Sequence, residues 1–261
     1  MAQVAVLLAI KAHKNPWSLR PITACRDSIL APLGTLVDRW LHQVAKTMPT
    51  YVKNSADLKQ NLESLKLPEN ARLFTADAVS MYTNINTEAA LSEIAIYLRR
   101  NRRKFPDVPI NALISGLEIV MTNNVFSLGD TFWKQISGAA MGQSPSPPYA
   151  TVFFGIHELN LIDKFSRTLL PYCWRYIDDF IGVWIPMPNN GCEGMWKRFQ
   201  QEMNNFHGLT WEFSERQTTV DYLDVTVSIY EGKIHFDLFE KALNLSRKST
   251  RLNSSHHTTS R

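Results

Sequence analysis

Cysteine is scarce in this sequence. Cys25, Cys173 and Cys192 are all there is in 261 residues, an odd number with no metal-ligand spacing. A disulfide framework is therefore not expected, and a reducing compartment is the default setting. Long apolar runs are missing too. V-A-V-L-L-A-I, residues 4–10, is far too short to cross a bilayer and lacks the basic leader and small-residue cleavage site of a secretory signal. It reads as a strand. The body of the chain also has no surplus of charge. The formal +4 comes from the last sixteen residues, which hold Arg247, Lys248, Arg251 and Arg261 and no acid. Without them the 28 basic residues fall to 24, equal to the 24 acidic ones. Net charge thus says nothing about a partner, and only local clusters can. No internal repeat and no low-complexity linker breaks the chain.

What is present is an ordinary globular composition, 44% hydrophobic and 20% charged, long enough for one large core or two intimate subdomains. Apolar periodicity predicts helices over 31–46, 55–65, 87–101 and 109–122, with Leu33, Leu36, Val37, Trp40, Leu41 and Val44 on one face of the first. Asn86 or Thr87 is the N-cap of the third, whose stripe is Leu91, Ile94 and Leu98. A further helix follows G-A-A-M-G-Q-S-P-S-P-P through Phe153, Ile156 and Leu159. Another carries Trp196, Phe199, Met203 and Phe206 and stops at Gly208. R-L-F-T-A-D-A-V reads as a buried strand ending in Asp77, and N-V-F-S-L-G-D-T-F-W-K-Q as a hairpin turning at Gly129-Asp130. T-W-E-F-S, D-Y-L-D-V-T-V-S-I-Y and K-I-H-F-D-L-F read as strands, the last two joined by a turn at Glu231-Gly232. Strands and helices interleave without regular βα repetition, so the expected class is α+β.

The chemistry centres on Y-C-W-R-Y-I-D-D-F-I-G-V-W, residues 172–184. Asp178 and Asp179 interrupt an apolar, β-prone run, where charge is costly unless paired or bound to a metal. A hairpin turn alone would account for an Asp-Asp pair. Long apolar flanks on both sides instead suit a rigid platform for Mg²⁺, which takes a few carboxylates together with substrate phosphate oxygens. Asp77, ending its own apolar strand, is the third carboxylate such a two-metal phosphoryl-transfer site needs. As a strand-terminal cap it would need no such role.

F-T-A-D-A-V-S-M-Y, G-A-A-M-G-Q-S-P-S-P and Y-I-D-D, in this order and spacing, resemble the palm motifs of reverse transcriptases. Upstream K-A-H-K-N-P-W-S-L-R-P-I and downstream Y-L-D-V are similar as well, so the likeness covers residues 9–241; H-K-N-P, R-P-I, A-M-G and L-D-V look most like Penelope-like elements. The resemblance implies an RNA-directed DNA polymerase of a retrotransposon, with right-hand fingers and a ferredoxin-like split βαβ palm. It implies two Mg²⁺ ions, or Mn²⁺ in their place, held by Asp77, Asp178 and Asp179, and an RNA template, a DNA primer and dNTPs as partners. Tyr82 would crowd a ribose 2′-hydroxyl, Ala78 and Gly142 would approach the nucleotide, and Arg20 would grip the triphosphate with either Lys11 or Lys14. Met141 stands where retroviral enzymes carry glutamine, which removes the basis for an amide hydrogen bond there. The late lysine of the family has no clear counterpart, Arg216 being the nearest.

On the same basis residues 1–67 are expected to form partial fingers and 68–245 the palm, with the thumb and any endonuclease missing from a truncated fragment. The tail 246–261 is expected to be disordered, and R-K-S-T-R-L-N-S-S-H within it resembles a reading frame of a sequencing-library adapter. The expected location is intracellular, nuclear or cytoplasmic, with no membrane, and the oligomeric state is open. L-R-R-N-R-R-K, residues 98–104, reads either as a solvated helix end, as a template-phosphate contact or as a nuclear-import signal. His13 is expected to be structural. Trp17, Trp133, Trp174 and Trp184 are expected in the core rather than as base-stacking platforms. Two rival readings remain: an RNA-dependent RNA polymerase on the same palm, and a domesticated nucleic-acid-binding remnant without catalysis.

Overall fold

The computed structural model describes residues 6–11, 18–23, 25, 28–128, 130–186 and 191–239. His13, Lys14, Trp17, Gly129 and the basic tail lie outside these residues, so the expectations placed on them are not addressed by the fold. The first strands, β1 (Val6–Lys11) and β2 (Ser18–Thr23), pair antiparallel. Helices α1 (Ala31–Ala45) and α2 (Ser55–Glu63) follow, the second capped by the Asn54 carboxamide, which accepts from the Asp57 N–H at 2.9 Å.

The central sheet is built from β3 (Arg72–Ala78), β6 (Tyr172–Tyr176), β7 (Asp179–Trp184) and β8 (Trp211–Phe213) in the order β6-β7-β3-β8, all antiparallel. Between β3 and β6 the chain forms the short helix α3 (Met81–Asn84), α4 (Thr87–Arg100), α5 (Ile110–Thr122), the hairpin β4 (Val125–Leu128) and β5 (Thr131–Lys134), and α6 (Ser146–Ile162). Helix α7 (Gly191–Asn204) joins β7 to β8. With the helices between the first and second strands treated as one layer, this is the β-α-β-β-α-β order of a split βαβ sheet. The meander β9 (Thr219–Tyr222), β10 (Val225–Tyr230) and β11 (Lys233–Leu238) completes the described chain. The fold is therefore mixed, with antiparallel sheets, as the interleaved elements predicted. Among the described residues no helix is long and apolar enough to cross a membrane.

Strand alternation feeds two cores. Phe74, Ala76, Ala78, Phe180 and Trp184 point to one face of the sheet and pack with α1, α4, α5, α6 and α7. Leu73, Ile181 and Val183 point to the other, where Leu58 and Leu62 of α2 meet Val220, Tyr222, Val227 and Ile234 of the meander. Helices thus cover one face, and the meander with a single helix covers the other. Helix α1 buries Val37, Leu41 and Val44 but leaves Leu36 exposed, so its stripe is narrower than the periodicity suggested.

Three sequence expectations are corrected. Trp133 is 54% exposed, on a two-stranded hairpin, β4–β5, that joins neither the central sheet nor the meander. Y-L-D-V-T-V does not run as one strand: Leu223 has φ +54° and ends β9, so Tyr222 pairs with Val225 across a tight turn. On α6 the structure buries Glu158 and leaves Leu159 at the surface. Glu231 and Gly232, both at positive φ, do form the expected turn, as a two-residue hairpin with a right-twisting loop requires.

Gly182 sits opposite Phe74 in the register, and a Cβ there would lie 2.5 Å from the fully buried phenyl ring. That ring is held by Trp196 at 4.8 Å and Phe199 at 5.5 Å between centroids, so it has nowhere to retreat. Gly182→Ala is expected to destabilise the chain by about 1–3 kcal/mol through overpacking. A urea midpoint unchanged from the parent protein would show that the ring can move.

Candidate active site

Asp77 occupies the penultimate position of β3, and its Cα partners in the register are Asp179 on β7 and Glu212 on β8. Directly opposed residues on one sheet face hold their Cβ atoms about 4.5–5.5 Å apart. Three acids therefore stand in a row across three neighbouring strands. They line a cleft of about 300 Å³ together with Asp221, Thr75 and Leu223. Like charges directly opposite one another are destabilising in a sheet. Such a row is expected where a cation or a reaction needs it rather than where the fold does.

Asp178 does not belong to either strand. It occupies the two-residue turn Ile177-Asp178 between Tyr176 and Asp179, which close the hairpin β6–β7. The dipeptide that looked like an interruption of one buried strand is thus half turn and half strand. Asp77, Asp178 and Asp179 are brought together at one end of the sheet, because the Asp178 carbonyl accepts from the Ala78 N–H at 2.9 Å while Asp179 faces Asp77. Both members of the dipeptide are half-buried and Asp77 is exposed.

The turn is strained and heavily supported. Ile177 has φ +55°, a left-handed conformation that costs a β-branched residue about 1–3 kcal/mol. Its carbonyl accepts from Nη1 of Arg175 at 2.7 Å. The rest of that guanidinium is spoken for: Nε and Nη2 donate to the two carboxylate oxygens of Glu158 at 2.7 and 2.9 Å, and Nη2 also donates to the Thr151 carbonyl at 2.9 Å. Glu158 in turn accepts from the Thr50 hydroxyl at 2.7 Å. Neither charge reaches solvent. Removing one partner of such a pair costs about 3–5 kcal/mol. On the other side of the turn, the Tyr222 hydroxyl accepts from the Tyr176 N–H at 3.0 Å and donates to the Asp179 carbonyl at 3.1 Å. Burial, and then the negative charge of Asp179, push the Tyr222 phenol well above the ordinary tyrosine range, so it remains a donor.

The remaining sequence candidates are arranged around this centre. Tyr82, half-buried on α3, gives its carbonyl to the Ala139 N–H at 2.6 Å, which ties the aspartate strand's turn to the G-A-A-M-G loop. The Met141 carbonyl accepts both the N–H and the hydroxyl of Thr23, each at 2.7 Å. Gly142 has φ +115°, and a Cβ on it would lie 2.0 Å from the Thr23 carbonyl oxygen. What glycine visibly permits at that position is the close approach of β2. Lys11 and Arg20 lie on β1 and β2, across from Ser18 and Ala9. Arg216 pairs with Glu193 and lies over the Trp196 ring, 4.9 Å from its centroid. The basic run occupies the end of α4 and a 3-10 turn over Arg102–Lys104, with Arg99, Arg100, Arg102, Arg103 and Lys104 exposed.

Whether the acids suit a metal follows from their chemistry. Among the described residues no group of three or more His, Cys, Asp or Glu side chains gathers closely enough to cage an ion. Two opposed aspartates and a third on the adjoining turn do fit Mg²⁺, which commonly uses one or two carboxylates and completes its shell with water and substrate phosphates. The donor set is all oxygen, with no sulfur or imidazole to favour a softer ion.

No protein-family model and no curated protein matches the chain. Solved structures do. Telomerase from Candida albicans, in complex with a fragment of telomeric RNA, superposes with a TM-score of 0.65 at 11% identity, covering 92% of this chain and 48% of that one. The RNA-dependent RNA polymerase of BmCPV at its elongation state gives 0.64 at 13% identity, over 97% of this chain and 24% of that one. Apo telomerase from Candida tropicalis gives 0.63 at 10%, over 89% and 47%. The fold is a polymerase fold. This chain spans about half the length of the telomerases it resembles and about a quarter of the viral enzyme.

Arg175, Glu158 and Tyr222 were not singled out by the sequence reading. Two of them had a signal: Glu158 is the one acid inside the apolar run T-V-F-F-G-I-H-E-L-N-L-I, and Arg175 the one cation in Y-C-W-R-Y. Buried opposite charges on two apolar elements call for each other.

A buried phenol gives the site a pH signature. Above about pH 10 a tyrosine of the unfolded chain loses its proton. Tyr222 in the folded chain keeps it, so the folded state binds more protons and stability falls as pH rises. Tyr149, also raised by burial, adds to the effect. Unfolding free energy from urea titrations is expected to decline between pH 9.5 and 11 (bounds approximate) with a slope that Tyr222→Phe reduces by up to about 1.4 kcal/mol per pH unit. An unchanged slope would place Tyr222 in water.

Proposed function

We propose that this chain is the fingers and palm of an RNA-directed DNA polymerase, a reverse transcriptase of a retrotransposon of Penelope-like type, with residues 1–67 as partial fingers and 68–245 as palm. The observation that carries the reading is the placement of Asp77 directly across from Asp179, with Asp178 on the adjoining turn, in a chain with a polymerase fold. In this reading Asp77, Asp178 and Asp179 hold two Mg²⁺ ions. Ions bound there would supply a lowered pKa for the primer 3′-hydroxyl and charge neutralisation for the triphosphate and its leaving pyrophosphate.

The protein's own contribution is position. Asp77 and Asp179 present their carboxylates from paired strands, whose backbone hydrogen bonds fix the spacing. Asp178 is oriented by the Ala78 N–H on its carbonyl. Tyr82, on α3 just past the turn that follows β3, crowds the ribose 2′-position and selects deoxynucleotides. Arg20, aided by Lys11 or Lys14, grips the triphosphate, and the exposed cations at the end of α4 contact nucleic-acid phosphates.

A second reading, an RNA-dependent RNA polymerase, has support in the viral structure, whose TM-score of 0.64 is close to the 0.65 of the telomerase. Tyr82 argues for the first. Primer extension on an RNA template with Mg²⁺ is expected to use dNTPs. Asp178→Asn with Asp179→Asn is expected to lower the rate at least about 10³-fold, the loss of several kcal/mol of charge stabilisation. Activity surviving that double substitution would remove the assignment.

Tyr82→Ala is expected to raise rNTP incorporation relative to dNTP by at least about 10-fold, because a pocket wall of this size is worth one to a few kcal/mol. Competition assays with both nucleotide sets measure the ratio. A parent enzyme that prefers rNTPs would instead establish the second reading.

A further inference from the structure

We propose that Arg175 and Tyr222 are positioning residues that clamp the turn between Tyr176 and Asp179, and so set the direction in which Asp178 and Asp179 present their carboxylates. The inference deepens the metal-site reading above and rests on it.

An isoleucine at φ +55° relaxes to an ordinary backbone conformation unless its neighbours prevent it. Such a relaxation turns the peptide between Ile177 and Asp178 and swings Asp178 away from Ala78. It also displaces the first residue of β7, Asp179, from its place opposite Asp77. Four hydrogen bonds oppose this: Arg175 Nη1 to the Ile177 carbonyl, the Ala78 N–H to the Asp178 carbonyl, and the Tyr222 hydroxyl to both the Tyr176 N–H and the Asp179 carbonyl. The first and last two come from side chains that are themselves immobile. Arg175 is locked by Glu158 and the Thr151 carbonyl, and Tyr222, the last residue of β9, is buried in the core between the meander and the central sheet. The Tyr222 phenol, raised by burial, does not ionise in the working range.

Glycine would adopt this conformation freely and leave it as freely. An isoleucine there has few neighbouring backbone wells, so once clamped it fixes the carboxylates tightly. Polar side chains behind a metal site that orient its ligands typically change affinity or activity 10–100-fold when removed. Arg175 and Tyr222 act in that way through backbone carbonyls and an N–H rather than through the carboxylates themselves.

The test is an electron paramagnetic resonance titration of Mn²⁺ into the protein, with folding checked by circular dichroism and thermal melting. Tyr222→Phe removes both hydroxyl bonds and keeps the ring. Arg175→Lys keeps the charge beside Glu158, but its one nitrogen cannot also reach the Ile177 carbonyl. Each folded variant is expected to bind Mn²⁺ about 10-fold more weakly or worse, and to lower kcat of nucleotide addition while KM for the nucleotide changes little.

In an Ile177→Gly background the same substitutions are expected to change Mn²⁺ affinity by no more than about twofold, since an unclamped glycine still occupies the left-handed well about as readily as the right-handed one. Equal losses in both backgrounds, or undiminished Mn²⁺ binding in the folded variants, would overturn the clamp. If Arg175→Lys does not fold, the Tyr222→Phe pair decides alone. Asp178→Asn separates the two levels. If it too leaves Mn²⁺ binding unchanged, the metal site fails and the clamp with it. If it weakens binding while Tyr222→Phe does not, only the clamp fails.

Discussion

One guanidinium, shut away from water, ties together the parts of this protein that matter. Arg175 could not be buried alone, since an unpaired charge in the interior is far too costly, and Glu158 on α6 makes its burial possible. Once paired, the planar fork has donors to spare, and they go to carbonyls on two different elements, Thr151 on the helix and Ile177 on the turn. A lysine could neutralise Glu158 but could not hold three positions at fixed angles. The position of α6, the path of the loop at Thr50 and the shape of the turn at Ile177 are therefore one geometric fact. The hydrophobic cores supply most of the stability. The ion pair joins one residue of β6 to one turn of α6, Arg175 to Glu158.

The acids of the cleft are the counterpart of that order. Asp77, Asp179 and Glu212 face one another across three strands, an arrangement that works against the sheet. The strands bear it because both their faces are anchored in apolar cores and their end is left open to the cleft. The fold that carries these strands is shared with a telomerase and a viral RNA polymerase at identities of only 11% and 13%.

Much of this was legible in the residues. Helices α1, α4 and α5 follow their apolar stripes to within a residue or two because each has a strong period and clear ends. Asp77 and Asp178-Asp179 could be proposed as one group because each stands in or beside an apolar strand, where charge has a cost. The clamp was not legible. Nothing in Y-L-D-V says that its tyrosine reaches back 43 positions to Asp179, since a phenol suits a core as well as a hydrogen bond. The split of that segment at Leu223 was hidden for a related reason: an unbroken alternation reads as one strand, and the left-handed residue that ends it is not a glycine. Trp133 shows the reverse failure. Its strand pattern is real, but whether anything lies over a hairpin is decided by the arrangement of layers, not by the hairpin's own residues.

The central sheet is a party wall. One core leans on it through Phe74 and Phe180, the other through Leu73 and Ile181, and these are alternate residues of the same two strands. Stripping away either core would leave a bare apolar face on strands still committed to the other. Neither side can come apart cheaply by itself, so the two cores are expected to melt as a single cooperative unit. The aspartates at the open end of the wall are thereby coupled to the integrity of both sides at once, including the meander that follows them in the chain. A mutation deep in the second core, far from any carboxylate, would loosen the same strands that carry the acids.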